Sequence, residues 1–419
     1  MERKRKILAA LADLKQEVAG PVPVGIIKSW QDSKRSAQAQ SEILKPFERE
    51  GYFVTSDSSG LSRLTAERSL LEVMKMVSEP KEIIYNLGRE IGGKGVGIWA
   101  ADNTAMYYDA SGVKAEQLVE KMAAAQKQIH SGPLQIGMGI HKGRFWELGN
   151  SLFGEEADLI ENISEDFTEA KEIILSESVC KDLGGNWKDF LLHREDLADF
   201  KMPFYSLNYD NLGDSSGFDQ KFLNEPSPEH FYPFPFSSDF FVALKKVRDF
   251  SSDQAVRSMD KFFRNKVVIL IKTYHHKERF LLQELTEWVV VNAIWNEIVT
   301  KYDVEVVKSN GDLGIFVADK DSEAVEFAED LLMSSRSVND TVSIGLARGD
   351  VLLFNLDGGG KDIAGGAVNI ASKISEDVPE RNSLYIEASV EVPVNHASKY
   401  ENFAIEKSKV IIGGLKFKK

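Results

Sequence analysis

Hydrophobic and polar positions along the chain alternate between two periods, and the order in which they do so occurs twice. From about residue 48 an apolar run with strand character, "GYFVTS", precedes a long stretch of helical spacing, "LTAERSLLEVMKMVSEPKEIIYNLGREIGG". A strand pair follows ("GVGIWAADNTAMYYD"), then a helix ("VKAEQLVEKMAAAQKQI"), a strand ("LQIGMGIHKGRFWEL"), a helix and a short strand ("EIILSESV"). From about residue 264 the same order returns as "NKVVILIKTY", "ELTEWVVVNAIWNEIVTKYD", "VEVVKSNGDLGIFVAD", "SEAVEFAEDLLMSS", "VSIGLARGDVLLFNL", "AVNIASKISED" and "SLYIEASV". A match of this length indicates a repeat of whole domains, not a solenoid.

The pattern predicts four segments. Residues 1–47 form an N-terminal helical segment, 48–205 the first copy, 206–262 a connecting segment, and 263–419 the second copy. The connection is rich in Pro, Ser and Phe, and Pro226, Pro228, Pro233 and Pro235 block regular structure there. We read it as an ordered linker whose aromatics pack on the domains, with a docking surface for a protein partner as the sharper alternative. The stretch from Phe241 to Arg264 has helical spacing.

Composition narrows the classes. The chain has 419 residues, enough for two domains, and is 43% hydrophobic. Its formal charge of −14 speaks against a nucleic-acid binder, which needs a basic surface to displace counterions from phosphates. A small anionic ligand is still compatible, since carboxylates with a divalent metal hold phosphate. Cys180 stands alone, so no disulfide or cysteine metal cluster forms within the chain. No run reaches the roughly 18 apolar residues of a membrane span. A soluble, cytoplasmic protein is the expectation.

Two acids in the first copy draw attention. Asp57 ends a strand before "SSGLSRLT", and Asp102 lies in a hairpin, "WAADNTAMYY". Paired at neighbouring strand ends they would suit Mg²⁺ or Mn²⁺; taken singly, Asp57 could cap a helix and Asp102 hold a turn.

At these motifs the chain resembles the class III nucleotidyl (adenylyl/guanylyl) cyclase homology domains. "DSSGLSRL" is similar to their first motif and "ADN" at 101–103 to their second; "GGAVNIASK" of the second copy is similar to the third, which "FGEEADLIEN" of the first matches loosely. The resemblance spans about three quarters of the chain and implies an α+β fold: two ferredoxin-like, cyclase-type sandwich domains in tandem, paired as an intramolecular pseudo-heterodimer. It implies sites shared between domains, one giving metal acids and the other base-recognition and transition-state residues.

On that basis Asp57 and Asp102 are the metal ligands, while Ile98, Asp158 and Asn162 replace partner-type residues in the first copy. Thr273 stands where the second copy's first metal acid belongs, and Asp312 retains the other. Lys308 and Asp362 would read the base, a donor and an acceptor as an adenine edge requires. Asn369 would orient the ribose and Lys373 meet charge on the α-phosphate; four residues apart on a helix, they share a face. Lys416 is the candidate triphosphate contact, and His141 matches a position concerned with the fold. The bland alternatives are an exposed strand residue for Lys308 and local helix-start bonding for Asn369. Lys373 replaces the family's usual Arg, a point charge lacking the planar fork.

The resemblance thus implies one composite, metal-dependent ATP site that forms 3′,5′-cyclic AMP and pyrophosphate. The alternative is a catalytically degenerate homologue acting as a nucleotide-binding or partner-binding scaffold.

Overall fold

The computed structural model describes residues 23–59, 61, 64, 67–97, 99, 103–210, 212, 239–247, 250, 257–274, 280–310, 313–337, 341–356, 361–376, 380–407 and 410–418. The chain divides into two compact units: Pro46–Ser258, which holds the first copy, and Met259–Lys419 joined by the chain up to Lys45, which holds the second. Helices α1 (Val24–Asp32) and α2 (Ala37–Leu44) therefore group with the second copy.

In the first-copy unit β1 (Glu48–Ser59) is central. It is flanked antiparallel by β3 (Thr104–Asp109) and β4 (Gln135–Leu148), and β2 (Lys94–Gly95) edges β3. β5 (Ser151–Phe153) turns back on β4, while β6 (Ile173–Ser176) runs parallel to it. β7 (Leu191–His193) and β8 (Phe204–Leu207) complete the order β2-β3-β1-β4-β6-β8-β7.

Alternation along β1 sets up two cores. Tyr52 and Val54 point to the layer of α3 (Leu70–Glu90) and α4 (Ala115–Ile129), with Ile84, Leu87, Leu118 and Met122. Phe53 points to the opposite face, where Phe145 and Ile160 pack and where α5 (Glu155–Asn162) lies. α3 begins at Leu70, later than the apolar spacing suggests, because a capping box fixes its start. The Ser69 hydroxyl accepts from the Glu72 amide and the Glu72 carboxylate accepts from the Ser69 amide. α6 (Glu177–Asp182) follows β6. α7 (Asp239–Lys246) closes the unit. Of the stretch from Phe241 to Arg264 expected to be helical, α7 and residues 257–259 are helical, a single turn spans Asp260–Phe262, and the next strand begins at Phe263.

The second-copy unit repeats this plan. β9 (Phe263–Tyr274) lies between β11 (Leu313–Ala318) and β12 (Thr341–Asn355), with β10 (Val304–Asn310) on β11. β13 (Lys361–Gly365) turns back on β12, β14 (Ser383–Glu387) runs parallel to it, and β15 (Tyr400–Lys407) and β16 (Val410–Phe417) follow. The order β10-β11-β9-β12-β14-β16-β15 matches the first sheet strand for strand. α8 (Leu281–Val299) and α9 (Asp321–Ser337) cover one face, α10 (Gly366–Glu376) the other. The expected α+β architecture, two antiparallel-dominated sheets each covered by helices, is what the chain adopts. The Pro-rich stretch and its four prolines lie outside the described residues. Among the described residues no helix is long and apolar enough to cross a membrane.

Candidate functional site

Two glycines allow the copies to be superposed residue by residue. Gly139 sits opposite Thr55, and a Cβ there would meet the Ile160 side chain of α5 at 2.7 Å. Gly345 sits opposite Leu270, and a Cβ there would meet the Ala371 carbonyl of α10 at 2.2 Å. Each glycine is where the helix of the third motif lies against its sheet. Just before those helices, Gly154 (φ 119°) and Gly365 (φ 155°) make equivalent turns that a side chain resists.

In the second copy, sequence-predicted residues come together. Lys308 lies on β10 directly after a register irregularity, and Asp362 lies on β13 opposite Phe354. The Lys308 ammonium and the Asp362 carboxylate form an ion pair of 2.6 Å, with the side chains 12% and 18% exposed. Asp362 also accepts from the Ile363 amide at 2.8 Å, which orients the carboxylate. Four residues past Asp362 the chain enters α10. Ala367, Ala371 and Ile374 form its buried side, leaving Asn369 exposed and Lys373 half-buried, one turn apart.

Lys416 is placed differently. It stands on β16 opposite Tyr385, two strands beyond β12, and its ammonium is held by the Glu380 carboxylate. That hydrogen bond raises the Lys416 pKa.

In the first copy Asp57 lies near the end of β1 opposite Gly137, half-buried. Beside it the Ser56 and Thr104 hydroxyls share a hydrogen bond of 2.6 Å that ties β1 to β3 where the second motif emerges. Asp102, Ile98 and Asp312 lie outside the described residues.

The superposition corrects one assignment. With Gly139 equivalent to Gly345, Asp57 opposite Gly137 corresponds to Lys272 opposite Ser343, whereas Thr273 pairs with Val342 one place further on and is buried. Thr273 therefore does not occupy the acid's place; Lys272 does. The physical consequence is stronger than a missing ligand, because an ammonium repels a divalent cation from that position. Sequence comparison slipped because "VVILIKTYHH" lacks the motif's glycine, and counting from the two strand glycines would have found it. On the helices, Asp158 and Asn162 of α5 correspond to Asn369 and Lys373 of α10, counted from Gly154 and Gly365.

His141 is fully buried on β4. Its Nδ1 lies 2.9 Å from the Ser176 hydroxyl, and its Nε2 lies 3.8 Å from the Glu156 carboxylate of α5. The neighbouring His141 ring, together with the Arg144 amide, lowers the Glu156 pKa. Glu156 also accepts from the Arg144 amide, so the pair fastens α5 to the sheet. Glu156 was not singled out by the sequence; the second copy has Ala367 in the equivalent place, against Ala347.

Asp57 offers hard oxygen ligation, which suits Mg²⁺ or Mn²⁺. Among the described residues no group of three His, Cys, Asp or Glu side chains forms a cage.

The chain carries the class III cyclase-homology fold in two tandem copies. A class III adenylyl cyclase-like ATP-binding protein from Pseudomonas aeruginosa matches over 93% of this chain and 91% of its own, with TM-score 0.51 and 11% identity. Single-domain structures match over 38% of this chain. They include the adenylyl cyclase CyaB of P. aeruginosa (94% of its chain, 17% identity, TM-score 0.33) and the guanylate cyclase domain of RhGC from Catenaria anguillulae (97%, 16%, 0.33). No family model and no curated protein matches.

Proposed function

We propose that this protein binds ATP at one composite, metal-dependent site, with the first copy supplying the metal acids and the second copy the nucleotide contacts. The observation that carries this reading is the division of chemistry between equivalent positions. Asp57 in the first copy answers to Lys272 in the second, and the Lys308–Asp362 pair with Asn369 and Lys373 answers to Asp158 and Asn162 in the first. Each copy keeps one half of the machinery, so a single site follows. The likeness over nearly the whole chain to a protein described as ATP-binding supports the choice of nucleotide.

In this site Lys308 donates to N1 of adenine and Asp362 accepts from the 6-amino group, which requires the two to part from each other. Asn369 orients the ribose, and Lys373 lies where charge gathers on the α-phosphate. Mg²⁺ or Mn²⁺ on Asp57 and Asp102 would draw charge from the phosphates and favour the 3′-alkoxide. The reaction is intramolecular. The ribose 3′-oxygen forms a bond to Pα, the bond from Pα to its bridging oxygen breaks, pyrophosphate leaves with that electron pair, and the hydroxyl proton is released.

A second reading is favoured by Lys373. Its single ammonium cannot make the two parallel contacts that an Arg offers a transferring phosphoryl group, so ATP binding without turnover would leave a signalling scaffold. Incubating pure protein with each NTP and Mn²⁺, and assaying cyclic nucleotide by mass spectrometry, separates the two. Product from ATP that rises in Lys373→Arg and falls in Lys373→Ala supports the enzyme. Bound ATP with no product in any variant supports the scaffold.

A further inference from the structure

Helix α8 is apolar on more than the side that meets its sheet. Val290, Ile294, Trp295 and Ile298 belong to the sheet-side core, but Leu282, Leu285 and Val289 are equally buried outside it. The helices ahead of the first copy supply matching surface: Ile26, Ile27, Trp30 and Leu44 are buried although α1 and α2 are short and otherwise polar.

Three contacts place these helices on the first turn of α8. The Trp30 ring packs edge-on against Phe280 with centroids 5.8 Å apart. Its indole N–H donates to Gln283 Oε1 at 3.3 Å. The Gln40 side-chain carbonyl accepts from the Leu282 amide at 2.9 Å, satisfying a backbone donor that a helix N-terminus leaves open. Chain order makes this notable, since α2 runs on through Lys45 into β1 of the other unit.

The mirror arrangement holds in the first-copy unit. α7 stands before β9 in the chain yet docks on α3: Phe240, Phe241 and Leu244 are buried, Lys245 pairs with the buried Glu82 carboxylate at 2.6 Å, and Lys75 donates to the Val247 carbonyl at 3.5 Å. Each copy's long helix is thus completed by the arm that leads into the other copy.

We propose that the first turns of α8 are a docking surface for a two-helix apolar arm, that residues 24–44 of the same chain are its occupant, and that the second copy is complete only with the arm bound. The arm is a strap whose release uncovers the first turn of α8 and frees the Leu282 amide. The partner the surface fits is an amphipathic helix presenting a Trp and paired Ile side chains, followed by a glutamine that caps α8. This rests on packing within one unit and is independent of any nucleotide chemistry.

The test uses the full chain carrying a protease recognition sequence after Lys45, cut after folding. The arm is expected to stay bound through gel filtration, to leave at least tenfold faster when Trp30→Ala is present, and to be replaced by a labelled peptide of residues 23–45. Release of the wild-type arm on cutting, or exclusion of the peptide after the arm is washed out, overturns the proposal. If the inserted sequence prevents folding, hydrogen exchange on uncut chains decides. Gln40→Ala is expected to speed exchange of the Leu282 amide while Gln38→Ala, whose partner is the exposed Glu42, leaves it unchanged. Equal exchange in both variants overturns it.

Discussion

Lys308 on β10 and Asp362 on β13 satisfy each other across 2.6 Å, and this pair is the nucleotide-reading end of the proposed site. An ion pair this far out of solvent is costly to break from one side, because the remaining charge keeps its desolvation penalty without its partner. Adenine offers both groups a replacement at once, which is why a base could open the pair where water does not.

Lys308→Ala is therefore expected to do two things. ATP affinity falls by about 1–3 kcal/mol through the lost base contact, and the melting temperature falls because Asp362 is left unpaired. The double variant Lys308→Met with Asp362→Leu should recover much of the melting temperature and none of the ATP affinity. Thermal denaturation and ATP titration of the three proteins check this; recovery of both together would show that the pair acts only on stability.

Gly345→Ala tests how the sheet positions α10, the helix proposed to carry nucleotide contacts. The added Cβ would meet the Ala371 carbonyl at 2.2 Å and the Ile374 side chain at 2.8 Å, and backbone cannot step aside as a side-chain tip can. α10 must lift from β12, carrying Asn369 and Lys373 with it. Overpacking of this kind costs about 1–3 kcal/mol, and ATP affinity should fall along with the melting temperature. Gly185→Ala, where nothing lies within 4 Å, serves as the neutral control.

Glu82 gives a pH dependence whose sign can be worked out. Burial pushes its carboxyl up to about 7 from the usual 4.5, against the opposing charge of Lys245. A folded-state pKa above the unfolded one means that the folded protein holds the proton more tightly, so this group's stabilising contribution is full below about 4.5 and is lost as pH rises through 7. The melting temperature of the wild type should drop more between pH 5 and pH 8 than that of Glu82→Gln. Parallel pH profiles for the two would contradict the burial of Glu82 beneath α7.

Much of the fold was legible because period-2 runs such as "NKVVILIKTY" and helical runs such as "VKAEQLVEKMAAAQKQI" recur in the same order, and each sheet follows that order. Lys308 and Asp362 were legible as a donor and an acceptor flanking a motif, though not as a mutual pair. Lys272 was hidden by a slip of one residue, which in a strand moves a side chain to the other face; only the pairing of Lys272 with Ser343 fixes the register. The docking of α1 was hidden for another reason. Ile26, Ile27 and Trp30 announce an apolar face, but periodicity carries no address, and the helix they cover begins at Leu281, far along the chain.

The central claim is a single metal-dependent ATP site drawing on both copies, and calorimetric titration with ATP in the presence of Mn²⁺ tests it most directly. The account predicts one ATP per chain, with affinity reduced about fivefold or more by Asp57→Asn and by Lys308→Ala alike, and unaffected by Lys272→Ala, since Lys272 marks the position that has lost its metal role. Two ATP per chain, or binding indifferent to Asp57→Asn, would contradict it.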